Sequence, residues 1–123
     1  MTSAFHQIGL VLRDYFDALY FCDTVRLERV FHPRALYATA DETPPLFRTM
    51  DEYVPVVAAR QSPASRQETR RDHIDCIDLA GDNTAFARVR CSIGERDFVD
   101  FLTLIREDGQ WRIIAKVFQI IER

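Results

Sequence analysis

The chain predicts an α+β fold in which helices come first and an antiparallel sheet follows. Apolar residues recur at helical spacing near the start, at Ile8, Leu12, Tyr15 and Leu19. From Thr69 onward the period drops to two, through "TRRDHIDCIDLA", "TAFARVRCSI", "DFVDFLTLIR" and "WRIIAKVFQII". The segments between these runs are short and contain glycine: Gly81-Asp82-Asn83, Gly94-Glu95-Arg96 and Asp108-Gly109, each a hairpin signal. Helices followed by a meander of strands place the chain in the α+β class.

Taken in order, residues 3–21 form an amphipathic helix. Phe5, Val11, Phe16 and Ala18 flank its apolar stripe, Arg13, Asp14 and Asp17 mark its wet side, and Ser3 or Thr2 caps it. "CDTVRLERVFHP" reads as a short second helix capped by Asp23 or Thr24. It stops by Phe31, because Pro33 disfavours helical backbone at His32. "ALYATA" is a short strand. Phe47 and Arg48 fall on a lid-like loop. Thr49-x-x-Glu52 is a capping box that opens a third helix, and Pro55 should kink or restart that helix. "QSPASRQE" is loop.

Composition narrows the function classes. The 123 residues suggest one domain spanning 1–123, long enough to bury a core without covalent staples. A net charge of −3 with no block of like charge leaves no electrostatic footprint for nucleic acid. Cys22, Cys76 and Cys91 are odd in number and lack CxxC or His/Cys spacing, so they read as reduced, buried small hydrophobes. The N-terminus has no basic region of the signal-peptide kind, and no apolar run reaches the ~20 residues that a membrane span needs. A cytoplasmic protein is expected.

The final strand places Lys116 among apolar neighbours, where a lone ammonium is costly. In the last hairpin, a type I turn at Glu107-Asp108 with Gly109 as a bulge pairs Arg106 with Gln110. Asp100 then lies opposite Lys116, and Phe98 opposite Phe118. A two-residue turn would instead bring Phe101 opposite Lys116. A direct cross-strand charge pair is favourable by roughly 0.2–1 kcal/mol, which favours the bulged register. One sheet face then carries Phe98, Asp100, Leu102 and Leu104 with Ile114, Lys116, Phe118 and Ile120. The other carries Val99, Phe101, Thr103 and Ile105 with Trp111, Ile113, Ala115, Val117 and Ile121. Both faces are apolar, so the helices cover one and a second subunit the other, giving a homodimer through the sheet. Trp111 and Phe101 belong to the core or to that interface. The turn over residues 93–96 admits two registers, one of which sets Arg90 opposite Asp100.

Three helices, a short strand and a four-strand meander resemble the nuclear transport factor 2-like superfamily. The stretches "YFDALYFCD", "LERVFHPRALY", "IDLAGDNTAFARV" and "DFVDFLTLIREDGQWRIIAKVF" are similar to its putative lumazine-binding subfamily, sometimes grouped with polyketide-cyclase-like members. Cys22 stands before Asp23 where that family carries glycine. The resemblance implies a cone-shaped fold with a hollow between helices and sheet. It implies a small-molecule-binding protein, with no cofactor and no proven catalysis.

Ligand-lining candidates are Tyr15, Tyr20, Tyr37, Arg90, Asp100, Lys116 and Phe118: apolar walls with a few convergent polar groups. Two other classes stand beside this reading. A cofactor-free lyase or isomerase of dehydratase or ketosteroid-isomerase type would act on a small cyclic or carbonyl substrate. It would draw acid/base groups from Tyr15, His32, His73 and Asp100, with Asp41 as a further loose counterpart. Against an isomerase, Asp100 beside Lys116 has its charged form favoured and accepts rather than donates. The other class is a protein-interaction module whose cavity is filled by side chains. No His-x-His or His-x-x-x-His pair suggests a metal, and no GxSxG or glycine-rich phosphate loop is present.

Overall fold

In the computed structural model, which describes residues 3–123, helix α1 (Ala4–Phe21) begins where the Ser3 side chain accepts from the His6 N–H at 3.1 Å. Thr2, the alternative cap, lies outside the described residues. The helix ends at Cys22, whose φ of 49° is the left-handed conformation usually given to glycine. The Asp23 N–H reaches back to the Ala18 carbonyl at 2.9 Å, so the closing turn forms even with a side chain there.

Helix α2 (Thr24–Val30) is capped by Asp23, which accepts from the Arg26 N–H at 3.1 Å. Strand β1 (Phe31–Thr39) begins immediately afterwards, so His32 lies in a strand and the strand is longer than its apolar stretch suggested. The expected lid loop is partly a strand as well: β2 (Leu46–Thr49) holds Phe47 and Arg48 at the edge of the sheet. Helix α3 (Met50–Ala59) opens with the Thr49 N–H and hydroxyl both donating to the Glu52 carboxylate at 3.0 Å. It runs through Pro55 without a restart. The backbone bond that proline forfeits, to the Asp51 carbonyl, falls on an exposed face of the helix. A single 3₁₀ turn (Ala64–Arg66) interrupts the following loop.

Strands β3 (His73–Ala80), β4 (Thr84–Ile93), β5 (Arg96–Glu107) and β6 (Gln110–Glu122) form the meander. The six strands lie in the order β2-β1-β6-β5-β4-β3 in one curved, unclosed sheet. Neighbours are antiparallel except β1 and β6, which run parallel. The helices pack on one face. Ile8, Leu12, Tyr15 and Leu19 of α1 and Met50, Tyr53 and Val57 of α3 meet Ala85, Ala87, Val89, Leu102, Leu104 and Ile113 of the sheet.

The β5–β6 register differs from the expected one. Asp108 and Gly109 form a two-residue turn, both with positive φ (53° and 76°), so Glu107 pairs with Gln110 and Arg106 with Trp111. An irregularity then intervenes: Leu104 pairs with Ile113 but Thr103 with Ala115, leaving Ile114 as an extra residue. Beyond it Lys116 lies opposite Leu102 and Phe118 opposite Asp100. Turn and bulge each shift the ladder by one residue. Their sum, two, keeps Asp100 and Lys116 on one face as diagonal neighbours instead of a direct pair. Trp111 and Ile113 sit between turn and bulge, feel only one shift, and therefore face the core, not the outer surface.

Candidate functional site

The inward face of β5 and β6 carries a carboxylate and an ammonium deep under the helices. Asp100 is 0% exposed and Lys116 5%. Lys116 Nζ lies 4.0 Å from Asp100 Oδ2. The same oxygen accepts a 2.6 Å hydrogen bond from the Tyr15 hydroxyl on α1 and a weak one from the Cys91 thiol at 3.8 Å. Asp100 Oδ1 has no partner among the described residues.

Aromatic rings enclose the ammonium. Nζ stands 5.2 Å from the ring centroids of Tyr15 and Phe118, 5.4 Å from that of Tyr37 and 5.5 Å from that of Tyr53. The Tyr53 hydroxyl is a distant hydrogen-bond acceptor at 3.5 Å. Burial is the largest single influence on the lysine and pulls its affinity for its proton down, but Asp100 together with Tyr53, Tyr37 and Cys91 outweighs it, and the net direction is upward. Lys116 is therefore a cation, not a nucleophilic amine. Burial, then Asp100, push the Tyr15 phenol well up, which keeps it a donor. Burial likewise raises Tyr53 and the Cys91 thiol.

A cavity of about 30 Å³ adjoins this cage, bounded by Leu19, Tyr37, Tyr53, Phe98, Lys116 and Phe118 among others. That is room for a water or two, whereas ligand pockets span roughly 300–1,000 Å³. Roomier clefts lie outside the hollow. One of about 460 Å³ is bounded by Glu28, Phe31, Pro33, Met50, Val54 and Pro55.

The fold brings Tyr15, Tyr37, Asp100, Lys116 and Phe118 together and leaves the remaining candidates elsewhere. Tyr20 donates to the Glu68 carbonyl at 2.7 Å, with the Arg70 guanidinium 4.6 Å over its ring, so it lies beside the loop before β3 and outside the hollow. Arg90 pairs with Val99, not Asp100, because the two-residue turn at Gly94-Glu95 sets Ile93 opposite Arg96. Its side chain is exposed and bonds Asp75, as does Arg88. His73 is exposed and stands 3.4 Å from the same carboxylate. The imidazole of His32 accepts the Arg34 N–H at Nδ1 and turns Nε2 to Glu107 at 3.1 Å. Asp41 accepts the Ile120 N–H at 2.9 Å and so fastens the end of β6. Among the described residues no group of three or more His, Cys, Asp or Glu is arranged to hold a metal ion.

Two members of the cage lacked a clear sign in the sequence. Tyr53 belongs to the stripe Met50, Tyr53 and Val57, whose spacing marks the buried face of α3. Cys91 shares the period-two set Ala85, Ala87 and Val89 on β4. Both patterns indicate burial; neither indicates proximity to Lys116.

Solved structures share this architecture. A nuclear transport factor 2-like protein of unknown function from Shewanella baltica matches with a TM-score of 0.86 at 21% identity, each chain covered in full. Another from Silicibacter pomeroyi matches at 0.81 and 24% identity, covering 98% of this chain and 100% of its own. A ketosteroid isomerase-like protein from Erwinia carotovora atroseptica matches at 0.77 and 12% identity over the whole of both chains. At these identities the likeness is one of fold alone. None of the curated proteins matches the chain. The family described as putative lumazine-binding matches residues 3–119, and the chain belongs to that family, within the nuclear transport factor 2-like superfamily.

Proposed function

We propose that this single-domain protein binds a small planar molecule, without transforming it, at the Lys116 cage. The observation that carries the reading is a buried ammonium ringed by four aromatic side chains beside a carboxylate with one unpartnered oxygen. Tyr37 and Phe118 offer aromatic faces, with ring centroids 4.8 Å apart. Lys116 offers a donor to a carbonyl or anionic oxygen. The description of the family supports a ligand of this kind, since lumazine is a flat, fused-ring dione. The small cavity means that Tyr37, Phe98 or Phe118 must turn aside for a ligand to enter.

The contacts of the candidate acid/base groups support binding over catalysis of the isomerase type. Tyr15 is spent on Asp100, which accepts and does not donate, and Asp41 is spent on the backbone of β6. The filled interior favours a second reading, an interaction module with no ligand of its own. In either case the outer sheet face, with Phe101, Val117 and Ile121 exposed, suits a homodimer. The free cysteines suit a reducing cytoplasm.

The test is calorimetric titration with lumazine and a panel of aromatic carboxylates, run beside the Asp100→Asn/Lys116→Met double variant. Saturable binding that weakens about tenfold or more in the double variant, with the ligand's absorption spectrum unchanged on incubation, supports the binder. Turnover of a panel member would move the reading to an enzyme. If no compound binds and none co-purifies by native mass spectrometry, the interaction module replaces it.

A further inference from the structure

We infer that a ligand seated in the Lys116 cage, the reading on which this rests, is an aromatic carboxylate whose acid group is bound by Arg60 at the rim of the hollow. Arg60 caps the C-terminal end of α3 and lines the same cavity as Lys116.

The residues around that cavity divide by depth. Tyr37, Tyr53, Lys116 and Phe118 are buried, whereas Arg60, Ile93 and Phe98 are partly exposed and form the rim. The rim therefore offers one cation beside two apolar side chains, the surface that a flat apolar body with an acid group requires. No carboxylate lines the cavity among the described residues. Deeper in, the charge of Lys116 is balanced by Asp100 at 4.0 Å. Arg26, Arg70, Arg88 and Arg96 each hold a carboxylate within 3.1 Å, but Arg60 pairs with none among the described residues. The site is left with one uncompensated positive charge, which fits a monoanion.

Two observations connect the rim to the interior. The ammonium of Lys116 has three hydrogens to donate, yet its nearest hydrogen-bond partner is the Tyr53 hydroxyl at 3.5 Å. A ring oxygen of the ligand would supply the missing acceptor and leave the acid group to the rim. Burial is what most raises the Tyr53 phenol, and Lys116 and Arg60 both oppose it, so the two cations act on one hydroxyl. The C-terminal end of α3 also suits a cation, which accounts for a positive charge at residue 60 but asks for no particular residue type. A guanidinium adds a planar fork that matches the two oxygens of a carboxylate.

Benzoate and benzamide share a ring and nearly a shape and differ in charge. Both are titrated by calorimetry at constant ionic strength, beside lumazine, into the wild type, Arg60→Gln and the Asp100→Asn/Lys116→Met double variant. Benzoate should bind the wild type about tenfold or more tightly than benzamide, the gain from one charge-assisted contact. Arg60→Gln should abolish that difference and leave the affinity for benzamide unchanged. Arg60 is partly exposed at a helix end, so Arg60→Gln should keep the fold, which far-ultraviolet circular dichroism verifies; the wild-type comparison needs no variant. Equal affinities for the two probes, or a preference for benzoate that folded Arg60→Gln retains, overturns the role of Arg60. Lumazine binding that the double variant weakens would then leave the cage standing as a binding site. If none of the three compounds shows binding that depends on the cage, the cage reading falls and the role of Arg60 falls with it.

Discussion

Lys116 and Asp100 together cost the fold about as much as they return. At 4.0 Å two unit charges attract by about 4 kcal/mol at an effective dielectric constant near 20, while removing each from water costs several kcal/mol. The rings around Nζ and the 2.6 Å bond from Tyr15 offset part of that deficit. Losing one partner is a different matter, because the other charge then stays buried alone. Lys116→Met should therefore destabilise the protein by about 3–5 kcal/mol, and Asp100→Asn/Lys116→Met should recover most of the loss. Urea unfolding of the three proteins checks this; a double variant as unstable as the single one would show that the pair is not coupled. That this lysine needs an acidic companion was legible in the sequence, from the cost of a lone ammonium among apolar residues. The ring of Tyr53 was not, because it arrives from another element, helix α3.

The bulge at Ile114 decides which way half of β6 points. Before it, Trp111 and Ile113 face the helices; after it, Lys116, Phe118 and Ile120 do. Side chains alternate with a strict period of two, so one inserted residue exchanges the two faces. Because Ile114 is the extra residue, deleting it should leave the pairs on both sides as they are, Ile113 opposite Leu104, Ala115 opposite Thr103 and Lys116 opposite Leu102, so that Lys116 and Phe118 still face inward. The expected outcome is a cooperative thermal transition that survives the deletion; a variant that unfolds without cooperativity would show that the bulge itself, and not the alternation on either side of it, holds the inner face. The bulge left one trace in the sequence: the largest apolar residues of the strand are odd-numbered at Trp111 and Ile113 and even-numbered at Phe118 and Ile120. The Asp108-Gly109 pair itself is a strong signal for a two-residue turn, yet it was outweighed by the appeal of a direct charge pair. Diagonal neighbours on one face meet the same electrostatic need.

At the scale of the molecule, the sheet has one face under helices and one without. Phe101 and Val117 are 46% and 53% exposed there, opposite one another across β5 and β6, with Phe86 packed against Phe101 at 5.3 Å. If that face closes a homodimer, Phe101→Glu and Val117→Glu should each halve the mass seen by light scattering after size exclusion. A wild-type protein that is already monomeric at tens of micromolar would sink the idea. The sequence by itself determined the class of every long element, because helical stripes, period-two runs and Gly-containing turns are local properties of the chain. It also led to acid and base on one inner face, but through a register that the structure replaces; the turn and the bulge each shift the ladder by one residue, and two shifts leave parity unchanged. Only the tertiary structure decided that β1 runs parallel beside β6, that Tyr53 and Cys91 complete the cage, and that Tyr20, Arg90 and both candidate histidines stand apart from it. Those outcomes rest on contacts between segments distant in the chain, where packing and register, not local spacing, select the neighbour.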